Sequence, residues 1–123
     1  MIDSYVACQI NGICKQCHAA NIKWWQDPAT GEPIERNVGE LLMLVTSELG
    51  EALEGHRKDL MDKHLPNRKN FEVELADALI RIFDTCAGLG LDVGGALVEK
   101  AEVNRVREDH KVENRLKEGG KKY

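Results

Sequence analysis

The sequence lacks any run of 18 apolar residues, and no basic segment leads into an apolar core near its first residue. The first absence argues against a transmembrane helix, and the second argues against a signal peptide. We therefore expect a cytoplasmic protein that does not bind membranes. In that reducing compartment the four cysteines are expected to be thiols.

The chain also has no excess of positive charge. It contains 17 Lys and Arg and 21 Asp and Glu, which gives a net charge of −4. This balance argues against a partner that is a nucleic-acid polymer, since such a partner normally requires a basic face.

Aromatic residues are few, with two each of Trp, Tyr and Phe. A 123-residue chain with so few large side chains buries a limited core, so we expect part of its surface to be covered by another copy.

The apolar residues recur at spacings of three and four and do not alternate, which indicates helices and no strands. The predicted helices run from about Ser4 to Trp25, from an N-cap at Asn37 to about Asp59, from just after Asn70 to the stop at Gly88-Leu89-Gly90, and from an N-cap at Asp92 to about His110. Together they predict a single all-α, four-helix bundle-like domain over residues 1–110. Residues 111–123 are rich in charge and are predicted to be a flexible tail. On the first helix, the predicted buried side includes Tyr5, Val6, Ile10, Ile13 and Cys17.

Two pairs of carboxylates lie within the predicted second and third helices, Glu48-x-x-Glu51 and Glu74-x-x-Asp77. Residues three apart are neighbours on one face of a helix, so each pair presents two acids together. Glu48 interrupts the apolar stripe that is formed by Leu41, Leu44, Val45 and Ala52. If the two helices pack together, four carboxylates meet and require protons or cations to coexist. An all-oxygen set of ligands favours a hard divalent metal, so we predict that these four residues bind metal.

These residues are similar to those of the MazG-like all-α nucleoside triphosphate pyrophosphohydrolases. Residues 39–54 resemble the second helix of that family, residues 74–84 resemble its third, and Lys100-x-x-x-Asn104-x-x-Arg107 resembles positions on its last helix. The resemblance covers about residues 18–110. It implies hydrolysis of a nucleoside triphosphate to the monophosphate and pyrophosphate with Mg²⁺ or Mn²⁺, in a homodimer or homotetramer. It also implies that the catalytic residues are the same four carboxylates, Glu48, Glu51, Glu74 and Asp77. Ser47 stands where many members carry a further acid, so the number of metal ions stays open.

The resemblance also implies roles for residues outside the carboxylate pairs. Lys100 and Arg107 are expected to contact phosphate oxygens, and Asn104 is expected to hydrogen-bond a phosphate or the sugar. The base needs a flat apolar surface, and Trp24 and Trp25 are the best stacking candidates. Both tryptophans fit an interface between two copies equally well.

Other interpretations of these patterns remain open. The carboxylates also fit a non-catalytic helical module that binds a metal for structure or recruits a protein, whereas a di-iron bundle would normally use Glu-x-x-His. Cys14-x-x-Cys17-His18 has the spacing of a haem attachment motif, and with Cys8 it has the ligands of a zinc site. We favour ordinary thiols for these cysteines and for Cys86. For Asp84 we favour a surface position over one beside the metal ligands.

Overall fold

The computed structural model describes residues 2–123, and all regular structure in this range is helical. Five α-helices occur in it: α1 (Tyr5–Ala20), α2 (Val38–Arg57), α3 (Asn70–Gly88), α4 (Val93–Val106) and α5 (Val112–Arg115). Short 3₁₀ turns lie at Ile22–Trp25 and Glu108–His110. The described range contains two isolated β-bridges, Gln26–Pro33 and Met61–Lys69, and no strand. The all-α prediction is therefore confirmed.

The chain forms two compact units. One unit is Ile13–Leu91, and the other combines Met1–Gly12 with Asp92–Tyr123. The predicted tail, residues 111–123, belongs to the second unit and contains α5. Its flexibility stays a prediction. Among the described residues, no helix has both the length and the apolar character that a membrane span requires.

The predicted starts of the second and fourth helices are confirmed by their caps. The Asn37 side chain accepts a hydrogen bond from the backbone N–H of Glu40 at 3.0 Å, and the Asp92 side chain accepts one from that of Gly95 at 2.9 Å. These contacts satisfy backbone donors that the first turn of a helix leaves free. Gly90 follows α3 with a φ of 68°, a left-handed conformation that glycine adopts without a steric cost.

Three predicted helix ends were too late. The first helix ends at Ala20 and is followed by a 3₁₀ turn that carries both tryptophans. The second ends at Arg57, just before Asp59, which has a φ of 51° that an α-helix does not allow. The fourth ends at Val106, since Arg107 is extended with a ψ of 135°.

Helices α2 and α3 pack against each other along their lengths. The contacts of Glu48 with Arg81 and of Gly55 with Asn70 show that the two helices run antiparallel. The predicted stripe on α2 is confirmed, since Leu41, Glu48 and Ala52 are all buried. Glu48 is therefore a carboxylate in the helix interface, which is the feature that positions the candidate site.

The predicted buried side of the first helix is only partly right, since the residues of it that are half-buried are Val6, Ile10 and Cys17. Tyr5 is 73% exposed and Ile13 is 45% exposed, whereas Cys14 is only 3% exposed. Apolar residues surround much of this helix, so their spacing alone does not identify which side faces the protein. In the described range, no large side chain is completely buried, since each keeps at least 2% of its surface exposed. This agrees with the expectation of a limited core.

The second unit depends on a close approach at Gly94. Its backbone N–H donates to the side-chain oxygen of Asn11 at 2.9 Å, and a methyl group on Gly94 would collide with the carbonyl oxygen of Ala7. We expect Gly94→Ala to lower the free energy of unfolding by about 1–3 kcal/mol, because backbone atoms must move to relieve the collision. Urea unfolding followed by circular dichroism measures this change.

Gly50 provides the matched control for Gly94. It lies within α2, and a methyl group there would meet no atom within 4 Å. Gly50→Ala should therefore raise the free energy of unfolding by about 0.5–1 kcal/mol, because alanine loses less backbone entropy in a helix. Equal effects of the two substitutions would contradict the close packing at Gly94.

Candidate metal centre and the adjoining cleft

Three of the four predicted carboxylates meet where α2 packs against α3. One carboxylate oxygen from each of Glu48, Glu74 and Asp77 lies within 4.8 Å of the other two. We call these three residues the carboxylate cluster. Glu51 is exposed and is not part of the cluster, although its charge acts on both Glu74 and Asp77. The structure thus brings together the residues that the two sequence motifs predicted, with Glu51 at the margin.

The cluster holds more negative charge than its protein neighbours neutralise. Arg81 donates from Nε to Oε1 of Glu48 at 2.8 Å, and within residues 2–123 this is the one ion pair that a carboxylate of the cluster makes. Burial, first of all, and the neighbouring Glu48 and Glu51 together raise the pKa of Glu74 from 4.5 to about 7, although a hydrogen bond from Asn70 acts to lower it. Burial and the charge of Glu48 also raise the pKa of Asp77, which Arg81 partly opposes.

One carboxylate oxygen of the cluster indicates that a cation is needed there. Oε2 of Glu74 is buried and has no hydrogen-bond partner. A buried acceptor without a donor costs about 1–3 kcal/mol, and more if it is charged. A cation among the three carboxylates would remove this cost. Carboxylate oxygens are the ligands that Mg²⁺ and Mn²⁺ prefer, so the residues present fit the predicted metal.

A cleft of about 620 Å³ opens beside the cluster. This volume lies in the range of sites that hold a small-molecule ligand. Glu48 and Asp77 line one part of it, and two guanidinium groups, those of Arg36 and Arg81, line it as well. Trp24 also lines the cleft and is 60% exposed, so its ring is available to a flat ligand. The cleft therefore combines acidic, basic and aromatic surfaces.

Asp84 occupies a buried position beside the cleft, so the prediction that it lies on the surface was wrong. It is 9% exposed and accepts hydrogen bonds from Nε1 of Trp25 at 3.0 and 3.2 Å. Nδ1 of His18 lies 2.8 Å from the same carboxylate, and the His18 and Trp25 rings meet edge to face at 5.1 Å. Trp25 also packs on Gly88, where a methyl group would collide with its ring. The two predicted tryptophans thus differ, since Trp25 is a buried structural residue whereas Trp24 is accessible.

The cysteine motif forms no metal site in the described residues. Cys14 and Cys86 are buried thiols, Cys17 is half-buried and Cys8 is exposed. The nearby ring of His18 is held by Asp84. In residues 2–123 the grouped side chains that could bind a metal include no cysteine.

No family model, curated protein or solved structure matches this chain. The MazG-like resemblance therefore rests on the sequence motifs alone, and the function that it implies is a proposal.

The three remaining predicted residues belong to the second unit. Lys100 is exposed, and Arg107 follows α4 and donates to both carboxylate oxygens of Asp109 at 2.9 and 2.7 Å. The side-chain oxygen of Asn104 is buried without a hydrogen-bond partner. Their roles toward phosphate or sugar stay predictions.

Sequence reasoning missed both arginines of the cleft. Arg81 follows Asp77 by four residues, so helical spacing placed it on the same face as the carboxylates. Arg36 lies in the loop before α2, and no spacing rule relates it to the cluster. Its guanidinium sits 5.5 Å from the Trp25 ring centre and donates to the backbone carbonyl of Trp24 at 3.4 Å.

Proposed function

We propose that the protein is a metal-dependent nucleotide pyrophosphohydrolase that cleaves a (deoxy)nucleoside triphosphate to the monophosphate and pyrophosphate. The observation that carries this proposal is the buried, unpartnered oxygen of Glu74 within the carboxylate cluster, next to a cleft of ligand size. The Mg²⁺ or Mn²⁺ would be held by Glu48, Glu74 and Asp77, with Glu51 near enough to contribute its charge.

The chemistry of the substrate explains why such a site needs both carboxylates and positively charged side chains. A triphosphate is highly anionic, so its hydrolysis depends mainly on neutralising charge and on positioning the attacking water. When bound, a divalent cation supplies positive charge and makes a coordinated water more acidic. Arg36 and Arg81 present guanidinium groups that match phosphate oxygens. A carboxylate of the cluster, or Glu51, would orient the attacking water and accept its proton.

A panel of nucleotides tests the proposed activity. The protein is incubated with each ribo- and deoxyribonucleoside triphosphate and Mg²⁺ or Mn²⁺, and the products are separated by ion-exchange chromatography. We expect nucleoside monophosphate and pyrophosphate in equal amounts. Release of orthophosphate would show that a different bond is cut, and the absence of turnover with every nucleotide and metal would contradict the proposal.

Trp24 is expected to stack on the base. Because its ring is exposed, Trp24→Ala should leave the fold intact and remove only the stacking, which is worth roughly 1–3 kcal/mol per base. The KM for the preferred triphosphate should rise about tenfold while kcat changes little. Trp24→Phe keeps a flat ring and should restore most of the affinity. An unchanged KM in Trp24→Ala would place the base elsewhere.

The exposed surface of α2 and α3 favours a second candidate function, a module for association. Five leucines on these helices are between 43% and 59% exposed: Leu42, Leu49, Leu53, Leu75 and Leu79. Large apolar side chains that a helix pair leaves exposed in this number are typical of a surface that binds another protein. We propose that a second copy of the chain covers these leucines in a homodimer or homotetramer. If the protein is instead a non-catalytic module, the same surface would bind a different protein.

A further inference from the structure

The loop between α2 and α3 is organised around one buried carboxylate. Asp62 is 7% exposed, and its Oδ2 accepts hydrogen bonds from the backbone N–H groups of His64 and Leu65, each at 2.9 Å. Its Oδ1 accepts a hydrogen bond from Nδ2 of Asn70 at 3.2 Å. The backbone N–H of Asn70 in turn donates to the carbonyl oxygen of Leu60 at 2.9 Å. Asn70, the first residue of α3, is therefore fixed to this loop by both its backbone and its side chain.

The same amide nitrogen reaches the carboxylate cluster. Nδ2 of Asn70 also donates to Oε1 of Glu74 at 3.2 Å, one helical turn further along α3. An amide nitrogen has two hydrogens, so it can donate to Asp62 and to Glu74 at once. With Oε1 of Glu74 engaged in this way, Oε2 is the oxygen that is left buried and unpartnered.

Gly55 on α2 makes room for this arrangement. A methyl group at Gly55 would collide with the side-chain oxygen of Asn70, so only glycine lets the amide lie where it does. Gly55 itself is buried within α2. The position of the Asn70 amide is thus set by three neighbours, which are the loop carboxylate of Asp62, the backbone of Leu60 and the surface of Gly55.

We propose that Asn70 is a positioning residue of the metal centre, which holds Glu74 with one oxygen engaged and the other free for the cation. This inference rests on the metal site of the proposed function. Without the Asn70 donor, repulsion from the neighbouring carboxylates would favour rotation of Glu74 away from the cluster. Arg81 acts on Glu48 in the corresponding way from the other end of the cluster. Residues that orient metal ligands typically change metal affinity by 10–100-fold when they are replaced.

Titration of the full chain with Mn²⁺ alone, followed by electron paramagnetic resonance of the free ion, tests this role. Asn70→Ala removes the donor, and it should weaken Mn²⁺ binding about tenfold or more. Gly55→Ala leaves Asn70 in the sequence but displaces its amide, and it should weaken binding by a comparable factor. At Gly55 the colliding atom is the end of a side chain that can rotate, unlike the backbone oxygen that a methyl group on Gly94 would meet. Since alanine also favours a helix more than glycine does, Gly55→Ala is expected to fold and tests the inference even if Asn70→Ala folds poorly.

A double variant separates this mechanism from general damage. If both substitutions act through the Asn70 amide, Gly55→Ala combined with Asn70→Ala should bind Mn²⁺ as Asn70→Ala does, with no further loss. Asn67→Ala changes an exposed residue of the same loop and should bind as the wild type does. Urea unfolding of each variant shows whether affinity falls without a matching loss of stability.

The outcomes distinguish this inference from the proposed function. Wild-type Mn²⁺ affinity in a folded Asn70→Ala or Gly55→Ala variant would overturn the role of Asn70. It would not contradict the proposed metal centre. Losses of affinity that add up in the double variant would also overturn it. If the wild-type protein does not bind Mn²⁺, the metal centre and this inference both fail.

Discussion

Glu48→Gln is expected to lower the rate of pyrophosphate release by roughly two to three orders of magnitude. The substitution keeps the shape of the side chain but removes one negative charge from the carboxylate cluster, which also weakens binding of the metal. The fold should remain intact, because the glutamine oxygen can still accept the hydrogen bond that Arg81 donates to Glu48 at 2.8 Å. Steady-state release of pyrophosphate at saturating Mg²⁺ measures the effect.

Glu54→Gln is the matched control for this substitution. Glu54 lies on the same helix, but it is exposed and its carboxylate pairs with Lys58 at 2.7 Å. Exposed pairs of this kind contribute little to stability, so this variant should have wild-type activity and nearly wild-type stability. Wild-type turnover in Glu48→Gln would remove Glu48 from the site, and an equal loss in both variants would point to a general effect of charge.

In the absence of divalent metal, the protein is expected to be more stable at pH 5 than at pH 8. The pKa of Glu74 is about 7 in the folded protein, above the 4.5 that it has in an unfolded chain. As the pH rises from about 4.5 to about 7, the unfolded chain loses this proton while the folded protein retains it, so the free energy of unfolding falls. Above about 7 both states are ionised and the loss is complete. Each pKa unit corresponds to about 1.4 kcal/mol, and with allowance for solvent contact we expect a loss on the order of 2 kcal/mol.

Urea unfolding in EDTA across this pH range tests the role of Glu74. Glu74→Gln removes the titrating group, so the dependence on pH should flatten and the variant should exceed the wild type in stability at pH 8. Glu72→Gln, an exposed residue on the same helix that pairs with Arg68 at 3.3 Å, should keep the wild-type dependence. Mg²⁺ should stabilise the wild type more at pH 8 than at pH 5, because it binds ionised carboxylates. A wild-type profile without slope between pH 5 and pH 7 would contradict the burial of Glu74 among other acids.

The spacing of residues predicted much of the helical structure and the composition of the candidate site. Caps such as Asn37 and Asp92 are local features, since a side chain meets a backbone group three residues away, and both were found from the sequence. Glu48 could be placed in a helix interface because it stands among apolar residues at helical spacing. The ends of helices were less predictable, as the extended Arg107 after α4 shows, because several endings cost nearly the same free energy locally.

Contacts between distant segments could not be read from spacing. Asp84 was predicted to be a surface acid, yet His18 and Trp25 cover it and donate hydrogen bonds to it from 66 and 59 residues earlier in the chain. Arg36 joins the cleft from a loop whose path depends on its packing over Trp25. The amide of Asn70 links Asp62 to Glu74 only because Gly55, on the opposing helix, leaves room for it.

The sequence by itself determined that the chain is helical and that acidic residues recur on adjacent faces, because helical periodicity acts over three or four residues. Only the tertiary structure decided which carboxylates approach within 4.8 Å, and that Oε2 of Glu74 is buried without a partner. The physical reason is that burial and electrostatic repulsion depend on distances through space, which are fixed when α2 packs against α3.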